Sequence, residues 1–182
     1  MDVNQLLSRY AAGERDFNGT NLHQENLNDI DLHGANFGGA DLSGANLTGA
    51  DLRGCDLSRA NLTDADLSGA NLMGANLSEV NLIGADLINV NLEKANLCRG
   101  DLRSANLVRA NLCGSNLSEA ELSGADLSGA NLSQANLIGS NLNEAELSGA
   151  DLSGVTMNEH EVSGSKTYTG LSHKWITWAG GC

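Results

Sequence analysis

The chain of 182 residues carries 23 acidic and 10 basic residues, a formal net charge of -13, only 3% aromatic residues and no proline. This length fits one domain, and the low aromatic content excludes a core built on Phe, Tyr and Trp. The negative charge disfavours direct binding to nucleic acid, whose phosphates attract cations.

The first predicted element is a short helix over residues 2–12. Asp2 can cap its N-terminus and Gly13 can end it. An apolar stripe with helical spacing lies between them: Val3, Leu6, Leu7 and Tyr10. Because the repeat that follows would otherwise begin with an open, unpaired end, we interpret residues 1–15 as a helical N-terminal cap.

No signal peptide or membrane-spanning segment is expected. The first residues are acidic, and no apolar run has the necessary length. None of the four cysteines is placed to pair or to bind a metal. We therefore expect a cytoplasmic protein without membrane contact.

A five-residue unit repeats thirty times between residues 16 and 162, without insertion or deletion. Its most regular form is Ala-Asp-Leu-Ser-Gly, as at Ala40–Gly44. A period of five matches neither a helix nor a strand. Since residues i and i+2 of an extended chain point to the same side, the Leu and the small residue two positions before it are predicted to face inward. The next two residues form a corner, where Gly suits a positive φ.

Four units are predicted to complete one coil of twenty residues. The two phenylalanines, Phe17 and Phe37, are twenty positions apart and would stack. Four residues of alternating charge follow the same interval: Arg59, Glu79, Arg99 and Glu119. A coil of twenty residues arranges them in one ladder at the spacing of neighbouring strands, about 4.8 Å.

This repeat resembles that of the pentapeptide-repeat proteins, whose consensus is Ala-(Asp/Asn)-Leu-x-x, and residues 6–17 resemble the start of cyanobacterial members. The resemblance implies an all-β fold, a right-handed quadrilateral parallel β-helix, here with seven to eight coils over residues 16–162. Family members with known activity bind DNA gyrase as mimics of duplex DNA, and some use a C-terminal module to dimerise. A regulatory partner would also agree with the cyanobacterial resemblance.

The surface charge changes along the repeat. Residues 16–92 carry eleven acidic and two basic residues, and residues 113–162 carry eight acidic and no basic residues. Between them lies a basic belt with one cation at each corner: Lys94, Arg99, Arg103 and Arg109. Ile88 and Val108 are predicted to stack on one corner beside Arg109. These six residues are either tolerated variation or the candidate interaction surface with a protein partner.

No catalytic, cofactor-binding or metal-binding site is predicted. The abundant carboxylates arise from the repeat itself, which is poor evidence for a specific acid and base. His23 and His33 are ten residues apart and would lie on opposite corners of a four-sided coil. Enzymatic activity is therefore not expected.

The last twenty residues, 163–182, differ in composition from the repeat. Leu171, Trp175 and Trp178 have the spacing of one helix face. We interpret this segment as an aromatic C-terminal cap, with Trp175 and Trp178 as candidates for either capping or dimerisation. Whether the protein is a monomer or a dimer stays open.

Two functional hypotheses follow. The first is a non-enzymatic scaffold that mediates protein–protein interaction with an unknown partner, with a regulatory role as one reading. The alternative is a DNA-mimicking modulator of DNA gyrase, which inhibits the enzyme or protects it from quinolones. The total charge favours the mimic, since duplex DNA carries about one charge per 1.7 Å, whereas the basic belt in the middle of the rod counts against it. A passive structural spacer is a third reading.

Overall fold

The computed structural model describes residues 1–158 and the backbone of residues 176–178. One helix, α1 (Val3–Ala11), precedes the repeat, and two short strands, β1 (Val155–Met157) and β2 (Ile176–Trp178), follow it. Between α1 and β1 the chain forms extended segments of one bridge residue each, separated by turns. The fold is therefore described best by its coils.

One coil is completed every twenty residues. Parallel bridges join residues twenty positions apart along the chain, from Asp16↔Asn36 to Asn136↔Thr156. At a typical bridge, the Leu42 N–H donates to Asn61 O (2.7 Å) and the Asn61 N–H donates to Ala40 O (2.9 Å). The predicted four-sided coil is thus confirmed over the described residues.

Side chains stack across coils as the twenty-residue period predicts. The rings of Phe17 and Phe37 are stacked, with centroids 5.4 Å apart and an interplanar angle of 19°. The corner that comes directly after the Phe17 and Phe37 position in each coil carries ion pairs between neighbouring coils: Arg59–Glu79 (3.2 Å) and Arg99–Glu119 (3.0 Å). The predicted charge ladder therefore consists of two ion pairs between adjacent coils.

The interior is filled by the Leu of each unit and the small residue two positions before it, nearly all of them buried. Burial of one Leu side chain contributes about 1.5–3 kcal/mol, so stability accumulates coil by coil. Cys55 occupies one of the small inward positions and its Sγ donates to Leu32 O (3.1 Å). Burial raises the pKa of its thiol to about 11, which leaves this cysteine protonated and unreactive at neutral pH.

Each corner is a tight turn whose second residue has a left-handed backbone. At one corner, the Ala110 N–H donates to Leu107 O (3.0 Å), and the Val108 N–H donates to Asn106 Oδ1 (3.3 Å). Arg109, the second corner residue, has φ +58°. The frequent Gly at this position is explained by that conformation, which other residues adopt only at a cost of about 1–2 kcal/mol.

Two of the four faces carry ladders of asparagine. We name each face by its Leu in the coil of residues 95–114: Leu97, Leu102, Leu107 and Leu112. On the Leu97 face, the Nδ2 of each Asn donates to the Oδ1 of the Asn in the preceding coil. These bonds run from Asn96 to Asn76 (3.3 Å), from Asn116 to Asn96 (3.2 Å) and from Asn136 to Asn116 (3.2 Å). The Leu112 face has the same arrangement at Asn71, Asn91, Asn111 and Asn131. Asn can propagate such a ladder because its amide both donates and accepts.

Helix α1 lies against the first coil. Its N-cap residue Asp2 accepts from the Gln5 N–H (2.8 Å), and the Gln5 side chain accepts from the Asp2 N–H, which completes a capping box. Leu6 is fully buried, and the Tyr10 hydroxyl donates to His33 O (3.0 Å). Among the described residues, no helix has the length and apolarity needed to cross a membrane.

The C-terminal strand β2 corrects the helical spacing read from Leu171, Trp175 and Trp178. Residues 176–178 pair in parallel with β1, with Val155 opposite Ile176, and so belong to a strand. An open β-helix end exposes unpaired backbone groups, and a further strand satisfies them. The pairing interval of 21 residues is one longer than a regular coil. The predicted repeat end at Val162 and the side chains of the C-terminal aromatic residues lie outside the described part.

Two serines at inward small positions differ in their hydrogen bonds. The Ser140 Oγ donates to Leu137 O (2.7 Å). The Ser115 Oγ is buried and has no hydrogen-bond partner among the described residues. An unsatisfied buried hydroxyl is destabilising because it loses its bonds to water without replacement.

We expect Ser115→Ala to raise the free energy of unfolding by about 1 kcal/mol, since it removes the unsatisfied hydroxyl. Urea unfolding followed by far-ultraviolet circular dichroism measures the change. Ser140→Ala is the matched control and should give no gain, because it removes a hydroxyl that has a partner. Equal shifts of the two midpoints would contradict this assignment.

Val80 and Gly100 occupy the same inward position in adjacent coils and compensate each other in volume. A Cβ built on Gly100 would lie 3.4 Å from Val80 Cγ1, 3.2 Å from Leu102 Cδ1 and 3.1 Å from Leu97 O of its own unit. All three distances are short for a carbon atom. The small residue therefore accommodates the larger one stacked on it.

In a Val80→Ala background, Gly100→Ala should stabilise the protein by about 0.4–1 kcal/mol. The substitution reduces the conformational entropy of the unfolded chain, and in the folded protein the new methyl group no longer contacts Val80. In the wild-type background the gain should be smaller or reversed, because the new methyl group contacts Val80. A double-mutant cycle measured by urea unfolding gives the coupling. The same effect of Gly100→Ala in both backgrounds would show that the two residues do not compensate.

Candidate functional site

The four cations of the basic belt occupy the four corners of a single coil. Lys94, Arg99 and Arg109 are second corner residues with φ values of +56°, +60° and +58°, and Arg103 is a first corner residue. All four are exposed. They are separated by whole faces of the coil, so one small ligand cannot contact all of them.

Three belt cations are paired with carboxylates of their own chain. Lys94 Nζ lies 3.2 Å from Glu93 Oε1, and Arg103 Nη2 lies 2.7 Å from Asp101 Oδ2; Arg99 forms the ladder pair described above. The hydrogen bond from Arg103 lowers the pKa of Asp101, and the same bond raises the pKa of Arg103. The belt is therefore less positive than its residue count indicates.

Arg109 differs from the other belt cations, because within residues 1–158 it has no ion pair or side-chain hydrogen bond. Its side chain lies over the corner of the next coil: a Cβ built on Gly129 would be 3.5 Å from Arg109 Cγ. Among the residues that the structure describes, its guanidinium therefore has no partner.

Ile88 and Val108 stack beside Arg109, as the sequence predicts. The N–H of Asn89 donates to Val108 O (3.0 Å), which places the two apolar residues in adjacent coils on one corner. Both side chains are half-buried. We call Ile88, Val108 and Arg109 together the Arg109 corner.

The other coils carry polar residues at the first position of this corner: Asn28, Thr48, Ser68, Ser128 and Ser148. The hydroxyls close a local bond to the preceding Asx side chain, as from Thr48 Oγ1 to Asn46 Oδ1 (2.7 Å). Val108 and Ile88 cannot make this bond. The Arg109 corner is thus an apolar interruption in a polar column.

Charge is distributed unevenly around the rod. The Leu97 and Leu112 faces present the uncharged asparagine ladders between residues 71 and 136. The Leu107 face presents carboxylates on either side of the uncharged Asn106 in the equivalent column: Asp66, Asp86, Asp126 and Glu146. The Arg109 corner lies between the acidic Leu107 face and the neutral Leu112 face.

One group near the N-terminus has the residue types of a metal site. Asp31, His33 and Asp51 each place a ligand atom within 4.8 Å of the others, and two carboxylates with an imidazole can bind a divalent metal. However, His33 Nδ1 lies 2.6 Å from Asp31 Oδ1 and Arg53 Nη2 lies 2.5 Å from Asp51 Oδ2. The hydrogen bond from His33 lowers the pKa of Asp31, and that from Arg53 lowers the pKa of Asp51. Each carboxylate already has a partner, and we assign no metal here.

The linear sequence gives no sign of this group, because its members lie in two different coils. The coil period places Asp31 beside Asp51 in the next coil. His33 is two residues after Asp31 in the same unit, so its ring lies next to both carboxylates. His23 is engaged elsewhere, with Nδ1 2.8 Å from Ser43 Oγ. An open surface depression lies against α1 rather than in the coil interior. The residues that line it are Met1, Asp2, Asn4, Gln5, Ser8 and Arg9.

The C-terminal candidates remain predictions. Trp175 lies outside the described residues, and Trp178 is described only as backbone within β2. Their proposed part in capping or dimerisation therefore has no side-chain geometry to support it.

Solved structures of pentapeptide repeat proteins match nearly the whole chain. HetL of the cyanobacterium Nostoc sp. strain PCC 7120, described as involved in heterocyst differentiation regulation, is 33% identical, with 95% of this chain and 100% of HetL covered and a TM-score of 0.47. Rfr23 of the cyanobacterium Cyanothece 51142 is 24% identical, with 97% and 99% covered and a TM-score of 0.53. QnrB1, a plasmid-mediated fluoroquinolone resistance protein, is 18% identical, with 92% and 91% covered and a TM-score of 0.52. The last two likenesses show the fold alone.

The family model described as pentapeptide repeats matches with eight copies over residues 16–49, 40–78, 75–112, 101–134, 120–158 and 130–166. A comparison with curated proteins gave no match. The matched segments extend over most of the chain and coincide with the described coils. The chain therefore belongs to the pentapeptide repeat family.

Proposed function

We propose that this pentapeptide repeat protein is a non-enzymatic scaffold that binds a protein partner at the Arg109 corner. The observation that carries the proposal is the combination, on one corner of an otherwise polar column, of Ile88, Val108 and an Arg109 that has no ion pair with any described residue. The rigid coil fixes these three side chains relative to one another before binding, which reduces the entropy lost on association.

Local energetics support a binding role for this corner. Arg109 shares its left-handed conformation with twelve other non-glycine corner residues, at a cost of about 1–2 kcal/mol each, and differs from the left-handed cations Arg59, Lys94 and Arg99 in having no ion pair within the described chain. Ile88 and Val108 forgo the local hydroxyl bond that Ser or Thr makes at their position. Departures from the locally favoured residues are expected at functional sites.

The rest of the belt has a secondary place in the proposal. Lys94, Arg99 and Arg103 are each neutralised by a neighbouring carboxylate. Exposed ion pairs of this kind have small interaction energies, and a partner would have to replace the carboxylate to bind the cation. A partner on the Arg109 corner can extend over the neutral Leu112 face, where Asn91 and Asn111 present amide groups. We place the interaction surface there rather than around the whole rod.

Replacing the corner with the residues typical of its column, in the variant Ile88→Thr/Val108→Ser/Arg109→Gly, should abolish partner binding and preserve the fold. Gly relieves the left-handed strain, and Thr and Ser restore local hydrogen bonds. The measurement is quantitative affinity capture from source-cell extract, with circular dichroism to verify folding. We expect proteins captured by the wild type to be reduced at least about tenfold, as for loss of about 1.4 kcal/mol.

Arg103→Ser is the matched control, because it removes an exposed belt cation that is already paired with Asp101. It should leave capture unchanged. If the corner variant and the wild type captured the same proteins equally, the Arg109 corner would not be the binding surface.

We propose DNA-gyrase modulation by DNA mimicry as the second candidate function. The specific observation in its favour is the internal pairing of three belt cations, which weakens the positive interruption of the acidic surface. The Leu107 face then offers two pairs of carboxylates in adjacent coils, Asp66 with Asp86 and Asp126 with Glu146, on either side of Asn106. The likeness to QnrB1 supports a shared rod architecture and nothing further.

If the protein mimics DNA, adding it to a gyrase supercoiling reaction should inhibit the enzyme, or protect it from a quinolone, in the low micromolar range. The variant Asp66→Asn/Asp86→Asn should be weaker, since it removes two charges of the Leu107 face and keeps their acceptor oxygens. The single variant Arg109→Gly serves as control and should act like the wild type. No effect of the wild-type protein at high micromolar concentration would exclude this candidate.

A further inference from the structure

Arg109 is exceptional among the cations of residues 1–158. Six of the eight lysines and arginines there form ion pairs: Arg9, Arg53, Arg59, Lys94, Arg99 and Arg103. Arg15 donates to Tyr10 O (2.9 Å) and stacks on the Tyr10 ring, 3.8 Å from its centroid. Only Arg109 lacks a carboxylate, a side-chain hydrogen bond and a ring contact in this part of the chain. In a protein with a net charge of -13, this points to a carboxylate supplied from outside.

The surroundings of Arg109 restrict the shape of such a ligand. Val108 precedes Arg109 directly, and Ile88 lies one coil away on the same corner, so an apolar surface adjoins the guanidinium. On the opposite side Gly129 contributes no side chain. A ligand that reaches Arg109 along the corner therefore contacts an apolar surface and a cation in adjacent positions.

The flanking faces restrict the charge of the ligand. Asp86 and Asp126 on the Leu107 face repel a polyanion, so a nucleic acid with a phosphate at every step is disfavoured. A segment with one carboxylate can bind Arg109 and continue over the neutral Leu112 face. Its backbone C=O groups can there accept the remaining Nδ2 hydrogen of Asn91 or Asn111, whose Oδ1 atoms already accept from a corner N–H and from the next amide of the ladder.

We infer that the Arg109 corner binds a peptide segment of a partner protein in which an Asp or Glu lies next to an aliphatic or aromatic residue. The carboxylate accepts paired hydrogen bonds from the Arg109 guanidinium, and the apolar residue packs on Ile88 and Val108. This inference rests on the proposed protein-binding function and specifies the chemistry of the partner.

The test uses fluorescein-labelled nonapeptide pools and the full chain, with binding measured by fluorescence anisotropy. One pool has a central Glu next to Leu, Ile or Phe, with Ser or Gly elsewhere; the matched pools have Gln or Lys in place of Glu. We expect the Glu pool to bind about tenfold more tightly than the Gln pool, the factor expected for one charge-assisted hydrogen-bond pair. The Lys pool should bind more weakly than both.

Three variants locate the effect. Arg109→Gln should remove the preference for Glu over Gln, Val108→Ser should weaken both pools, and Arg103→Gln should change neither. Persistence of the Glu preference in Arg109→Gln would overturn the inference.

The outcomes also separate this inference from the proposed function. If the Gln pool binds as tightly as the Glu pool and Val108→Ser weakens both, the inferred role of a ligand carboxylate is wrong, while the proposal of protein binding at the corner is kept. If no pool binds, but capture from extract still depends on the corner, the partner presents different chemistry and the inference is again wrong. If the corner variant captured the same proteins from extract as efficiently as the wild type, the proposed function itself would be contradicted.

Discussion

The hydrogen bonds between residues twenty positions apart determine every other relation on this molecule. They place each side chain next to its counterparts in the preceding and following coils, whatever the chain does elsewhere. The stacked Phe17 and Phe37 rings, the Arg59–Glu79 pair and the asparagine ladders all result from this one register. Surface chemistry must therefore be compared along columns with a period of twenty rather than along the sequence.

Compared in this way, the Arg109 corner differs from its own column. Thr48 and Ser128 show what the position normally does, since their hydroxyls bond to the adjacent Asx side chain. Val108 occupies the same backbone position without that bond, and Arg109 follows in a conformation that Gly129 adopts more easily. Left-handed non-glycine residues and apolar first-corner residues also occur singly elsewhere in the coils, and this corner combines an apolar pair with a cation.

Much of the coil could be predicted from the sequence, because the apolar period allows only one way of burying Leu and Ala together. The stacking of Ile88 on Val108 was likewise predictable from the period. The pairing of Arg103 with Asp101 was missed, since the charges were counted by segment while the ion pair depends on a two-residue offset within one unit. The same offset unites Asp31 with His33. Helical spacing at Trp178 was misleading because backbone pairing at the end of the coil stack overrides local periodicity.

The asparagine ladders give the rod a direction. In each of these side-chain bonds the Asn Nδ2 of the later coil donates to the oxygen of the earlier one, and where a carboxylate is the acceptor it is the earlier residue, as Asp56 is to Asn76 and Asp86 is to Asn106. A carboxylate can accept such a bond but cannot donate the next one, so it begins a ladder and interrupts any ladder that it follows. Coils are consequently not interchangeable parts: a block of twenty residues can be duplicated or grafted without loss of these bonds only if it presents Asn toward the coil before it.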